Sequence, residues 1–191
     1  MPFYRRNLPH WHPDGASVFL TWRLYGSLPA SPRSTASIVC ATKPSIPKDS
    51  PGREFKRQDS LLDKAITGPL WLKDPRIARR VMDTIFFGET KLSFYDLHAF
   101  VIMPNHVHLL ITPHVSVSRL MNGLKGITAH EANAILRCKG NHFWQDESFD
   151  HWVRNSAEFD RIRRYIEWNP VNAKLLAHPE DWKWSSVTPK I

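Results

Sequence analysis

Two imidazoles one residue apart, His106 and His108, stand inside an apolar run from Phe100 to Thr112. The β-branched and aliphatic residues around them predict a strand, and residues i and i+2 of a strand point to the same face. Both rings therefore project together. Neutral imidazole is the commonest side-chain metal ligand near neutral pH, so the pair amounts to two thirds of a divalent-metal site awaiting a third ligand. A second constellation lies in Arg161–Asn169, where Tyr165 and Asn169 are four residues apart and share one helix face, with Arg161 a turn earlier. Phe159, Ile162 and Ile166 form an adjacent apolar stripe that can anchor this helix to a core. If the helix crosses the sheet near the histidines, Asn169 can supply an amide oxygen to the metal and Tyr165 a hydroxyl to a substrate. Otherwise Tyr165 is an amphipathic rim residue and Asn169 a helix C-cap before Pro170. Glu167 falls on another side of the helix and reads as a solvated charge.

The elements that must position these groups follow from periodicity. Ala16–Leu24, bounded by Asp14-Gly15 and Gly26, predicts a strand. From about 27 to 52 the chain is rich in Ser, Pro, Thr and Lys and reads as a flexible insertion. Order returns with Arg53–Ala65. Asp74 followed by Pro75, with apolar residues at 77, 78, 81, 82 and 85, predicts a capped helix over 75–87. Leu92–Met103 predicts a strand that turns at Pro104-Asn105 into the histidine strand, making a hairpin. Helical spacing resumes over Ser116–Leu136 despite Gly123 and Gly126. An aromatic stretch, Phe143–Trp152, precedes a helix from Ala157 to Trp168 that Asn169-Pro170 should end. This order predicts an α+β fold with a small antiparallel sheet, close to a ferredoxin-like arrangement.

Composition bounds the partners. The 191 residues suit one domain that buries a core without staples, and Cys40 and Cys138 match no disulfide or zinc spacing. The run Met1-Pro-Phe-Tyr-Arg-Arg6 is not followed by an apolar h-region, and no stretch approaches the ~18 apolar residues that span a bilayer. A cytoplasmic protein is expected, with no membrane partner. A net charge of +8 and eight tryptophans suit a surface that meets polyanions and stacks on bases.

Met103–Leu110, Leu124-Lys125-Gly126, Phe143-Trp144-Gln145, Tyr165–Ala173 and Trp184-Ser185-Ser186 together resemble the single-tyrosine transposases of the IS200/IS605 type, specifically the REP-associated tyrosine transposase branch. The resemblance runs from Tyr4 to Ser186 apart from the Ser/Pro-rich insertion, and implies one IS200-like domain over 1–191. It implies an HUH endonuclease in which His106, His108 and Asn169 hold Mg²⁺ or Mn²⁺ and Tyr165 is the nucleophile. The implied product is a 5′-phosphotyrosine with a free 3′-hydroxyl, which rejoins strands without a nucleotide cofactor. The implied substrate is single-stranded DNA folded into a hairpin, met by a monomer or homodimer at the nucleoid. Candidate DNA-binding residues are Arg5, Arg6 and His10, Lys125, and Arg161, Arg163 and Arg164, while Trp144, Trp152, Trp182 and Trp184 read as packing residues. Where related sequences often carry tyrosine, this chain has Ile127 and Phe149. Two rival readings are a catalytically silent DNA-binding protein of the same fold at palindromic repeats, and a metal-dependent hydrolase with an unrelated substrate.

Overall fold

The computed structural model describes residues 15–28, 51–64 and 68–188, and the backbone of 4–5 and 9–10; for 51–54 and 56 the backbone alone is described. Residues 29–50, most of the Ser/Pro-rich insertion, lie outside the described residues, as do Arg6 and the side chains of Arg5 and His10. In chain order the elements are β1 (Tyr4–Arg5), β2 (Pro9–His10), β3 (Val18–Arg23), α1 (Pro51–Asp63), α2 (Pro75–Thr90), β4 (Tyr95–Ile102), β5 (His106–Pro113), α3 (Val117–Leu136), β6 (Phe149–Trp152) and α4 (Ser156–Asn172).

β1 and β2 form a short antiparallel ribbon. The main sheet has the order β4-β5-β3-β6 and is antiparallel throughout. The run β3-α2-β4-β5-α3-β6 is the split βαβ arrangement of ferredoxin-like folds, so the chain is α+β as its periodicity predicts. Strand alternation sorts the side chains onto two faces. Val18, Leu20 and Trp22 join Val107, Leu109 and Ile111 in one core with Ile77, Val81 and Ile85 of α2 and Leu120 and Leu124 of α3. On the opposite face Phe19, Val101 and Leu110 pack with Ile162 and Ile166 of α4, and Phe55 of α1 packs against them. The histidines belong to this second face by parity with Leu110.

Local chemistry sets the ends of these elements. The Asp74 carboxylate accepts from the Arg76 amide at 2.9 Å and Pro75 occupies the first helical position, as the sequence requires. Ser116 caps α3 and Asn155 caps α4 in the same way. The Pro104-Asn105 turn is closed by the Met103 amide on the His106 carbonyl at 2.8 Å. A bulge between Leu97 and Ala99 shifts the β4 register. It places His98, whose ring meets Phe159 at 5.1 Å, on the α4 side beside Ala99.

One boundary differs from the sequence expectation. α4 does not end at Asn169-Pro170 but continues to Asn172, with Ala173 as its C-cap. A proline inside a helix removes one hydrogen bond and costs about 3 kcal/mol in an exposed helix. Here Asn169 and Pro170 are both buried in the fold, and that packing offsets the cost. Trp144 and Trp182 do pack: Trp144 is buried and donates to Thr128 Oγ1 at 2.9 Å, and Trp182 donates to the Ile102 carbonyl at 3.0 Å. Among the described residues no helix is long and apolar enough to cross a membrane.

Candidate metal and nucleophile site

β5 places His106 and His108 on the face turned to α1 and α4, with their Nε2 atoms 3.1 Å apart. Their cross-strand partners on β3 are Arg23 and Thr21. Each ring is held from behind. Asn105 donates through Nδ2 to the Leu62 carbonyl at 3.0 Å, which fixes its amide so that Oδ1 faces His106 Nδ1 at 2.7 Å. His106 must then carry its proton on Nδ1 and present a lone pair at Nε2. Thr21 Oγ1 holds His108 Nδ1 at 2.7 Å, and a hydroxyl serves there as donor or acceptor. Burial drives the His106 pKa down to about 3 and pushes that of His108 well below its usual value, with its neighbour His106 adding to the effect. Both rings are neutral at pH 7, the form that binds metals.

α1 brings two carboxylates that the sequence reading did not identify. Asp59 Oδ1 lies 3.3 Å from His108 Nε2 and 3.9 Å from His106 Nε2, and Asp63 Oδ1 lies 3.8 Å from His106 Nε2. Burial first, then the charge of Asp63, pushes Asp59 up to about 8, and burial pushes Asp63 up to about 6. Asn169 is also fully buried, with its amide nitrogen 3.5 Å from His108 Nε2. A half-turn of that carboxamide presents its oxygen to the same place.

The donor set fits a divalent cation. Asp59 Oδ1, Asp63 Oδ1 and Asn169 Oδ1 are buried and make no hydrogen bond, an arrangement that is costly unless a cation satisfies it. Asp59, His106 and His108 offer one ligand atom each, all within 4.8 Å of one another. Ligands held at about 2.1 Å from one ion stand roughly 3.0–3.4 Å apart, close to the shorter of these separations.

Tyr165 joins this cluster to a second feature. Its ring is 5.5 Å from that of His108 and 6.1 Å from Phe19, and it is half-buried. Its other side lines an open groove of about 510 Å³ along α4, shared with Asp160, Arg161, Arg164, Trp168 and Asn172. Trp168, unremarked in the sequence reading, is 46% exposed. Arg161 is exposed and pairs with Glu158 at 3.2 Å, Arg163 approaches Asp160 and Glu167, and Arg164 is exposed. Lys125 is placed differently: its Nζ donates to the carbonyls of Gln145 and Asp146 and ties α3 to the segment before β6. Arg5 lies in β1, remote in sequence from these groups.

Only the fold reveals Asp59 and Asp63. With Phe55 they recur at i, i+4 and i+8, a face that acquires meaning once α1 lies over the histidines.

Comparison with known proteins agrees with this architecture. Residues 76–169 match the family described as transposase IS200 like. A REP-associated tyrosine transposase of Escherichia coli (strain K12) is 24% identical over 92 residues, 48% of this chain and 54% of that protein. The chain thus matches about half the length of that relative. A solved structure of a REP-associated tyrosine transposase bound to a REP hairpin covers 97% of this chain and 82% of its own, at 18% identity and a TM-score of 0.56. Residues 76–169, just under half of the chain, are thus similar in sequence to the IS200-like transposases, and the structural likeness, at 18% identity, shows a shared fold over nearly the whole chain.

Proposed function

We propose that the chain is a metal-dependent single-stranded DNA endonuclease and transesterase, a transposase domain that cleaves beside DNA hairpins through a 5′-phosphotyrosine on Tyr165. The observation that carries this reading is the position of Tyr165, which touches the two-histidine cluster on one side and a groove bearing Arg161, Arg164 and Trp168 on the other. The Escherichia coli relative and the hairpin-bound structure named above are both described as REP-associated tyrosine transposases, which supports the same substrate class.

In this reading His106, His108 and the Asn169 carboxamide would hold Mg²⁺ or Mn²⁺, and Asp59 clusters with the two histidines and could join them. A divalent ion bound there would supply Lewis-acid stabilisation of the charge that develops at the scissile phosphate. The chain's own groups do the rest. Asn105 and Thr21 fix the imidazole orientations. Tyr165 loses its hydroxyl proton and attacks phosphorus, the bond to the 3′ oxygen breaks, and that oxygen takes up a proton. The new phosphotyrosine conserves the phosphodiester bond, so a 3′-hydroxyl later reverses the step and releases Tyr165. Arg161 and Arg164 track the phosphate backbone, and Trp168 offers an indole face for an unpaired base.

Two outcomes follow. Mn²⁺ affinity should rise roughly 50-fold between pH 6 and 8, because the histidines are already neutral while Asp59, raised to about 8, gives up one proton on binding. Calorimetric titration across that range measures the rise, and a flat profile would contradict the release of a proton from Asp59 on binding. The substrate class is tested at fixed, near-physiological salt by comparing a hairpin carrying a 5′ single-stranded extension with the same sequence fully paired. The hairpin should bind more tightly, and Trp168→Ala should reduce that affinity by about 5- to 100-fold, the worth of one stacked base. Arg161→Ala and Arg164→Ala should each lower the slope of log affinity against log salt by about 0.7. Equal affinity for the duplex would contradict the reading.

A further inference from the structure

The proposed centre is closed to solvent. The side chains of His106 and His108 are 0% exposed and that of Asp59 4%, and Asn169 is fully buried. A phosphate oxygen cannot reach an ion held there unless part of this cover moves.

α1 forms the cover. Near its N-terminal end Phe55 stacks on Phe149 of β6 at 4.2 Å and meets Phe19 of β3 edge-on at 5.5 Å. Near its C-terminal end the Leu62 carbonyl accepts from Asn105 at 3.0 Å. Between these two latches Asp59 projects onto the imidazole pair, 3.3 Å from His108 Nε2, without a hydrogen-bond donor for its Oδ1. Packing alone gives no reason for a carboxylate there, since an apolar residue of similar size would avoid the desolvation. A carboxylate oxygen and a phosphate oxygen are both hard anionic ligands and compete for the same place on a divalent cation.

We propose that Asp59 is a displaceable ligand: α1 holds its carboxylate in the coordination position that the DNA phosphate takes, and entry of single-stranded DNA drives α1 off the sheet. The protein then keeps its ion in a closed shell until substrate arrives, and the Phe55–Phe149 stack sets how readily the shell opens. This inference rests on the metal-centre reading above.

The test begins without DNA and without turnover, by calorimetric titration of Mn²⁺ into the wild type, Asp59→Asn and the His106→Ala/His108→Ala double variant. Asp59→Asn should bind at least about tenfold more weakly, and the double variant should show no binding at this site. Wild-type affinity in the double variant would overturn the metal centre itself. Binding lost in the double variant but unchanged in Asp59→Asn would overturn the role of Asp59 alone. The second arm uses Tyr165→Phe with Mn²⁺ and follows hydrogen exchange of the amides of 55–63, with and without the 5′-extended hairpin. Exchange should accelerate when the hairpin binds, and Phe55→Ala should tighten hairpin binding by loosening the latch. Equal or slower exchange, or hairpin affinity unchanged in Phe55→Ala, would show that α1 stays in place and would overturn the displacement.

Discussion

A Tyr165→Phe protein should form no covalent adduct with single-stranded hairpin DNA, with cleavage reduced on the order of 10⁵-fold and DNA affinity nearly unchanged. The substitution removes one oxygen and keeps the ring, so the edge contacts with His108 and Phe19 persist and the α4 groove retains its shape. Losing the nucleophile removes the covalent route entirely, whereas losing a binding contact changes only the equilibrium. Chain cleavage and affinity therefore separate in this variant. A denaturing gel with end-labelled hairpin reads the first and fluorescence anisotropy reads the second. An adduct of undiminished yield would transfer the role of nucleophile away from Tyr165.

Replacing both His106 and His108 by Ala should reduce Mn²⁺ affinity more than about 100-fold and abolish metal-dependent cleavage. Both side chains are fully buried and each holds a partner, so the change also has a structural cost. Truncation leaves cavities in β5 and orphans Asn105 Oδ1, which should lower stability by about 2–4 kcal/mol while leaving a cooperative unfolding transition. Thermal unfolding followed by circular dichroism checks the fold, and titration well below the lowered midpoint checks the metal. Unchanged Mn²⁺ binding in a folded double variant would place the ion elsewhere.

Much of this centre is legible in sequence because it is carried by short-range periodicity. The i, i+2 rule puts both imidazoles on one strand face, and the i, i+4 rule puts Tyr165 and Asn169 on one helix face. α4 crosses the second face of the sheet through Ile162 and Ile166, and this brings the two pairs together. Other parts depend on packing that no local pattern encodes. Pro170 reads as a helix terminator, yet its burial carries α4 onward to Asn172 and makes Asn169 an interior helical residue rather than a cap. The bulge that turns His98 toward Phe159 leaves no mark in an otherwise continuous strand pattern. Asp59 and Asp63 lie just beyond the Ser/Pro-rich stretch, on a helix whose polar face looks solvated until it is laid across the histidines. Trp168 likewise acquires meaning only from the helix orientation, which leaves it on the surface beside Tyr165.

The measurement that bears most directly on the central claim is the site of covalent attachment. Wild-type protein incubated with Mn²⁺ and a labelled single-stranded hairpin taken from the flanks of its own gene is digested, and the nucleotide-bearing peptide is identified by mass spectrometry. The account predicts an adduct whose 5′-phosphate is esterified to the Tyr165 oxygen, formed only when the metal is present. No adduct at any hairpin despite tight binding, or attachment to Tyr25 or Tyr95, would contradict it and leave a DNA-binding protein of the transposase fold without the cleavage chemistry.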